Sequence, residues 1–535
     1  MELIAVDFNG KDELPYLLFG FTGFRNVKRR DGDPLFRNTA DEAAFTMPIC
    51  KGADNRLTLN VSAAEDSQPQ SVSIIIGGVE IAVFELNKRE WLVKSVDIPQ
   101  GFCTRDNITV VIKCSRYYRK AWEAGCLSVA ALKFETTGNY SKESKELLQP
   151  GNVYFGDLHI HSNSSECANK NFNPYGSDGG SVEEIARFER EQEKCDFMAV
   201  TDHIDHMAKS GDWDRYISVV KELNIDGKFA VIPAYEWTSS HSHGHRNVYY
   251  KECYKDAFDH ISSISSTPRK LWELFKSKGM NAFTIPHHPN RIDFPMNWDD
   301  IDSLHQPLVE IYSQWGSSES FGAPLQETIH AVPGLSVQDA LTKGHRIGFV
   351  GGSDSHVFGL KERTFDTPHN RTNRGLTAVF ADSLSRESIF DALQNRRCYA
   401  TTGARIELDF RVNGNLMGSV LNRNYYNFQS EFPLCITCRA KADTPIAKVE
   451  LIHNGAVIYT YDHCLDNLAQ FAYYHKRKHP EYSNAHLGQT VAPAYAFSRQ
   501  EHMSFYDMYF YVRVTLVNRH MAWSSPVFYQ FEKAK

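Results

Sequence analysis

Apolar residues in the first part of the chain fall into β-branched or alternating runs. SVSIIIGGVEIAVFEL (71–86), NITVVIKC (107–114) and CLSVAALKFE (126–135) are separated by Gly, Asn and Asp, the pattern of strands and turns. The stretch TTGNYSKESKELLQPGN (136–152) is polar and runs into Pro-Gly, which predicts a linker. From about residue 405 strand patterns return in RIELDFRVNG, FPLCITCRA, AKVELIHNGAVIYTY and YFYVRVTLV. Within them, IHNGAVI sets Asn454-Gly455 between apolar runs, a hairpin signature, and the tail is expected to form a β-sandwich. No internal repeat is visible.

The middle of the chain alternates two periodicities. SVEEIARFEREQEKC (181–195) opens with Ser181 as N-cap and Glu184 completing a capping box, and it places Ile185 and Phe188 on one face. The strand-like DFMAV follows. DWDRYISVVKELNIDG (212–227) sets Ile217, Val220 and Leu223 at helical spacing and stops at Gly227. KFAVIPAYE reads as a strand, TPRKLWELFKSKG as a helix capped by Thr267 with Pro268 at its first position, and MNAFTIPHH as a strand again. PLVEIYS and HRIGFVGG are further strands, and SRESIFDALQNRR a further helix. Such alternation predicts a mainly parallel sheet with covering helices, and about 250 residues suffice for a (β/α) barrel. The expected fold class is therefore α/β, a distorted (β/α) barrel over 151–404, flanked by β-rich, sandwich-like domains over 1–150 and 405–535.

Composition narrows the function. The chain has 535 residues, 42% apolar, 23% charged and 12% aromatic, which is that of a folded protein of several domains. Its 58 basic and 65 acidic residues leave a net charge of −7, unlike a protein that coats nucleic acid. A small anionic substrate held by a few cations or metals remains compatible. The opening MELIAVDFNGKDELPYLLFG has no basic segment leading into an apolar one, and no apolar run approaches ~18 residues, so neither a signal peptide nor a membrane span is expected. Eleven scattered cysteines, an odd number, suit reduced thiols and a cytoplasmic location. CITC (435–438) has no second pair at zinc-ribbon spacing and is read as core packing.

Chemistry gathers where the strand-like runs end. GDLHIHSNSSE (156–166) carries His159, His161 and Glu166. In an extended backbone the two histidines point the same way. DFMAV runs into Asp202 and His203, FAVIPAY into Glu236, AFTIP into His287 and His288, and IGFVGGS into Asp354 and His356. HSHGHRNV adds His241, His243 and His245. In a parallel barrel these ends share one face. Imidazole and carboxylate groups are costly to bury without partners, and they are the usual ligands of divalent metals. The candidates outnumber what a single ion needs, so two or three ions with bridging carboxylates are expected.

Taken in order, HIHSNSSE, VTDH, PAYEW, GHRNV, PHHP and GGSDSH resemble the motif series of the PHP (polymerase and histidinol phosphatase) superfamily over residues about 153–360. VEIYSQWGSSE, GLTAVFADSLSRESIFDALQNRRCYATTGARIELDFRVNG and YFYVRVTLVNRHMAWSSPV extend the likeness to a branch of large PHP-related proteins described as a domain of unknown function. The resemblance implies a metal-dependent hydrolase. It implies a first metal on His159, His161, Asp354 and Glu236, with Glu236 bridging to a second on His245 and one of His287 and His288. His288 precedes Pro289 as the superfamily's strand-end histidine usually does, and His245 fits better than His243 because it precedes NVYY. Glu166, His203 and His356 would hold a third metal, although superfamily members often carry Asp or His where this chain has Glu166. Asp202 would orient His203 or handle a proton.

The expected mechanism uses water activated by two divalent ions (Zn, Mn or Fe), and no G-x-S-x-G elbow or P-loop is present. Arg246 and Arg291 neighbour proposed ligands and are candidate phosphate clamps, with ordinary surface charges as the rival reading. Trp315 and Glu319 in SQWGSSE are read as pocket walls, with a core role for Trp315 as the rival. The function expected is a cytoplasmic phosphoesterase acting on a small phosphate mono- or diester, without nucleic-acid or membrane partners, and with homo-oligomerisation open. Two alternatives stand beside it: the same metal architecture cleaving a C–N or C–C bond, and a non-catalytic binding or scaffold protein.

Overall fold

Alternation in SVSIII becomes alternating burial in the strand Gln70–Ile76 of the computed structural model, with Val72, Ile74 and Ile76 turned into a core. The described residues are all except 1, 8–16, 22–33, 35, 64–68, 77–78, 88, 104–106, 116–117, 121–122, 126, 141–151, 173–177, 211, 240–242, 327–329, 360–373, 425–433, 463–465, 476–507 and 533–535. Most of the expected linker, 141–151, thus lies outside them. Nine of the N-terminal strands form one antiparallel sheet, and Tyr118–Lys120 pairs separately with Glu123–Gly125. Along the larger sheet run Val79–Leu86, Gln70–Ile76, Asn107–Cys114, Arg37–Pro48, Leu127–Thr136, Asn55–Ala63 and Leu92–Ile98. The sheet closes on a core that includes Phe45, Leu59, Val110, Leu132 and Phe134.

The helices of the middle region form where their caps predict. Val182–Glu191 begins at Ser181, whose side chain accepts from the Glu184 N–H while Glu184 accepts from the Ser181 N–H. Thr267 caps Pro268–Ser277, and Ser385 caps Arg386–Gln394. A short helix, Ile204–Ser210, starts directly after His203, and a second capping box, Ser336 with Asp339, starts Val337–Thr342.

No closed (β/α) barrel is evident among the described residues, and the chain is β-rich with few helices. Parallel pairing is present: Asn152–Ile160 pairs with Phe197–Val200, that strand with Ala230–Val231, and Leu308–Ser313 with Gly348–Gly351. Ala234–Thr238, His245–Tyr250 and Ala282–Pro286 are instead antiparallel. A parallel return needs a crossover of roughly a dozen residues or more, and only 239–244 separate the first two of these strands. The sheets meet at their ends, through isolated parallel bridges from Ile160 to Ser355 and from His203 to Glu236.

On its other edge Asn152–Ile160 pairs antiparallel with Leu376–Ala381, which leads through Cys398–Thr401 and Met521–Ser524 into Met508–Leu516, Leu434–His453 and Glu407–Val412. The tail is sandwich-like in its strand content and continues the central sheet. Asn454 and Gly455 both take positive φ between paired His453 and Ala456, the turn that Asn-Gly predicts. Cys438 is buried in the core behind this sheet. Among the described residues no helix is long and apolar enough to cross a membrane.

Candidate metal centre

Glu236 lies at the centre of the site, buried at the end of KFAVIPAYE. Its Oε1 lies 3.0 Å from His245 Nδ1, 3.4 Å from His203 Nδ1 and 3.6 Å from His287 Nε2. Its Oε2 lies 3.4 Å from His161 Nε2 and 3.8 Å from His159 Nε2. Asp354 approaches the same two histidines from the opposite strand end, with Oδ1 3.3 Å from each Nε2. Asp354 and His288 both take positive φ, at 51° and 33°, in the turns that leave their strands. Gly352 precedes Asp354 by two residues because a Cβ there would collide with the Glu310 carboxylate and the His159 side chain.

The far ring nitrogens of the histidines are tied down. His159 Nδ1 meets Glu310 Oε2 at 2.9 Å. His161 Nδ1 lies 3.3 Å from Ser165 Oγ, and Ser165 donates onward to Asp202 at 2.6 Å, which gives the histidine an acceptor. His203 Nδ1 lies 2.6 Å from Thr238 Oγ1, which donates to Glu236 at 3.0 Å. His356 donates from Nδ1 to the Asp354 carbonyl at 2.9 Å. In each of these four rings Nδ1 is thus engaged and Nε2 is the remaining nitrogen. The Nε2 atoms of His159 and His161 are buried without a hydrogen-bond partner, although a carboxylate faces both.

The Nε2 atoms of two buried histidines converge on two carboxylates, and without an ion Asp354 and Glu310 raise His159 well above the usual imidazole range against its burial, so that its ring takes the positive charge that the carboxylates need. Burial pushes His161 and His287 down to about 4, and His203 to about 3, so these rings are neutral near pH 7. Burial acts against ionised Glu236 and Asp354, but the surrounding histidines outweigh it and hold both well below the usual carboxylate range. Burial likewise pushes Glu310 up, to about 7, with His159 pulling the other way. Donor atoms of His159, His161 and Asp354 all lie within 4.8 Å of one another, as do those of His159, Glu236 and His287, of His245, His287 and His288, and of His161, Cys167, His203 and His356. The chemistry of this donor set fits divalent metal ions.

The other expected residues take different places. Glu166 turns away: its side chain is 57% exposed and reaches only His206, at 4.0 Å, while its neighbour Cys167 joins His203 and His356. Asp202 serves as a buried acceptor for the Ser162 N–H and for the Ser162 and Ser165 hydroxyls, linked to His161 through Ser165. His243 lies outside the four groups. Its carbonyl accepts from Arg246, and His241 lies outside the described residues.

Arg246 is not at the ligand face. It follows His245 in the strand and so points to the opposite side, where it donates to Gln306 at 3.0 Å. Arg291 stays near the site, its guanidinium 4.9 Å from the Trp315 ring centre and 2.8 Å from Asp293. Trp315 donates from Nε1 to Asp354 Oδ2 at 2.5 Å, so it touches a candidate ligand. Glu319 lines no pocket at the centre. Fully buried, it accepts from Tyr511 at 2.6 Å, Arg513 at 2.7 Å and Trp523 at 2.9 Å, all on the C-terminal strands.

Sequence reasoning passed over Glu310, Cys167 and the pair Asp157 and Arg374. Glu310 carried a signal, as a lone carboxylate inside the apolar run LVEIYS. Asp157 accepts from the backbone N–H groups of His159 and Ser353 at 3.0 Å each, which pins together the two strand ends that bear the candidate ligands. Arg374 meets its carboxylate at 3.0 Å and that of Glu189 at 2.5 Å.

Comparison with known proteins places these residues among uncharacterised relatives. A family described as "Protein of unknown function (DUF3604)" matches residues 181–297 and 359–427. An uncharacterized protein of Chlamydia pneumoniae is 28% identical over 359 residues, which is 65% of this chain and 54% of that protein. A second, of Chlamydia trachomatis, is 28% identical over 374 residues with the same shares covered. The chain thus spans about half the length of the curated relatives it matches. Among solved structures, a two-domain protein of Bacteroides vulgatus containing a predicted PHP-like metal-dependent phosphoesterase matches at 17% identity and a TM-score of 0.34, over 61% of this chain and 86% of that one. The CBM36-1 domain of a xylanase from the hindgut metagenome of Trinervitermes trinervoides matches at 13% identity and a TM-score of 0.17, over 26% of this chain and all of that domain.

Proposed function

We propose that this chain is a metal-dependent hydrolase, most consistent with a phosphoesterase acting on a small phosphate mono- or diester. One observation carries the reading: Nε2 of His159 and of His161 are buried, lack a hydrogen-bond donor, and face Asp354 and Glu236 at 3.3–3.8 Å. Two carboxylates buried at one point need positive charge, which a divalent ion supplies in full and a protonated His159 would supply only in part. His159, His161, Asp354 and Glu236 would hold a first divalent ion. Glu236, His245 and His287, with His288 beside them, would hold a second. When bound, such ions lower the pKa of a coordinated water and neutralise charge on a phosphoryl group.

The protein's own groups orient this machinery. Glu310 fixes the His159 ring, and Asp202 fixes His161 through Ser165. Trp315 holds the second oxygen of Asp354 and so leaves the first for the ion. Arg291, stacked on Trp315, is the cation best placed to receive a phosphate oxygen. The substrate partner is proposed to be small and anionic, with the site carried by residues 151–404 and the regions 1–150 and 405–535 flanking it.

The test is metal counting by native mass spectrometry, followed by a phosphatase and phosphodiesterase screen with added Mn²⁺ or Zn²⁺. At least two ions per chain and turnover of a phosphoester are expected. Less than one ion per chain without rescue by added metal overturns the reading in favour of a binding protein. Metal-replete protein inert to phosphoesters but active on amides replaces the phosphoesterase with a C–N hydrolase.

A further inference from the structure

We infer that Cys167, and not the adjacent Glu166, completes the ligand set of a third ion with His203 and His356, so that this ion is one that accepts sulfur as well as nitrogen donors. The inference rests on the metal-binding part of the reading above and adds the identity of one ligand and the class of ion it selects.

Local geometry separates the two neighbours. Glu166–Ala168 is a single 3-10 turn, in which successive side chains point roughly 120° apart because a turn holds about three residues. The Glu166 N–H donates to His206 Nδ1 at 3.2 Å, and its carboxylate follows outward to the same ring. The next side chain, Cys167, therefore faces inward. Its Sγ lies within 4.8 Å of donor nitrogens of His161, His203 and His356, and these in turn lie within the same distance of one another. Donors about 2.0–2.3 Å from a tetrahedral zinc sit roughly 3.3–3.8 Å apart, so a small contraction converts this group into a coordination shell.

The partners are already committed as donors. His203 Nδ1 is held by Thr238 and His356 Nδ1 by the Asp354 carbonyl, which leaves Nε2 of each for an ion. His161 is buried with an unpartnered Nε2 and belongs also to the group with His159 and Asp354, so it lends that atom to one ion at a time. His161 and His356 stack at 4.3 Å between ring centres, which brings the two groups side by side. A thiolate among imidazoles favours zinc, iron or cobalt over manganese or magnesium, which prefer oxygen.

The experiment loads the full chain with Co²⁺ and reads the near-ultraviolet thiolate-to-cobalt charge-transfer band together with the ion count by native mass spectrometry. The band is expected in the parent and in Glu166→Gln. Cys167→Ser should lose the band and one ion per chain. Cys167→Ala substitutes if the serine variant does not fold, and the parent spectrum stands without either. A parent that binds cobalt without the band, or a Cys167→Ser protein that keeps it, overturns the inference and leaves the hydrolase reading intact. A parent that binds no metal at all overturns both.

Discussion

Glu310 Oε2 lies 2.9 Å from Nδ1 of His159, behind the ring whose Nε2 faces Asp354 and Glu236. A carboxylate behind a histidine fixes the ring's orientation and raises its basicity toward whatever the other nitrogen binds. Glu310→Gln keeps the shape and removes the charge. It is expected to weaken metal binding by about 10–100-fold, the usual effect of losing such support, without unfolding the protein. Chelator competition on the purified variant reads the affinity directly. Parent-like affinity would leave Glu310 a packing residue.

Strand ends were the legible part of this site, because His and Asp placed after apolar runs such as DFMAV and IGFVGG have few structural uses. Glu310 is harder to read, because its one signal, a carboxylate inside an apolar run, does not separate a site residue from a paired core residue. The barrel was misread for a different reason. Alternating strand and helix patterns do not state strand direction, and the short 239–244 connection that turns Ala234–Thr238 back on His245–Tyr250 reads as an ordinary histidine-rich loop. The capping boxes and the Asn454-Gly455 hairpin were legible because each is local.

Arg246 and Arg291 should separate cleanly. Arg246 is buried and held by Gln306 and the His243 carbonyl, away from the ligand face. Arg246→Met is expected to lower stability by roughly 1–3 kcal/mol for each buried acceptor left unpaired, and to leave KM for a phosphoester unchanged. Arg291→Met should raise that KM by roughly ten- to a hundredfold, from loss of a charge-assisted bond worth about 1.5–3 kcal/mol, with stability little changed. Urea melts and steady-state kinetics on both variants decide it. A KM effect confined to Arg246 would reverse the assignment.

Glu319 joins the segment carrying Trp315 to three C-terminal side chains, Tyr511, Arg513 and Trp523. Removing one member of a buried ion pair typically costs about 3–5 kcal/mol. Arg513 retains Glu450 at 3.0 Å, which puts Glu319→Gln near the lower end, about 3 kcal/mol. The urea midpoint should fall while the metal count per chain stays at the parent value. Loss of metal at unchanged stability would place Glu319 in the site after all.

Acid should destabilise the chelated protein through its buried rings. His161 and His287 sit at about 4 when folded against an ordinary value of 6.5, so the unfolded chain takes up protons first and stability falls as pH drops from 6.5 toward 4. Glu236 and Asp354, held low, act in the same direction at lower pH. His159, raised by Asp354 and Glu310 against its burial, acts oppositely, as do Glu310, pushed up to about 7, and Asp157, to about 6, but the lowered rings, which include His203 and His288, outnumber them. Urea midpoints of EDTA-treated protein across this range should therefore decline. A flat profile would mean that these rings are solvated in the metal-free protein.

Asp354 offers the sharpest test of the first ion, because its backbone and its carboxylate make separate demands. At φ 51° the residue occupies the left-handed region, which Asn tolerates and which costs Ala about 1–2 kcal/mol. Asp354→Asn keeps that backbone and an acceptor for Trp315 Nε1, and removes only the charge shared with His159 and His161. Asp354→Ala removes the carboxylate and adds the strain. If the carboxylate is a ligand, both variants should lose at least one ion and at least about a hundredfold in turnover, more than loss of a ligand's supporting partner costs. Both should unfold at lower urea, from the lost ion and the lost charge, and the alanine variant lower still from the added strain. Should Asp354→Asn keep its full metal count, the first ion would have to rest on His159, His161 and Glu236 alone, and Asp354 would be a turn residue whose carboxylate merely caps Trp315.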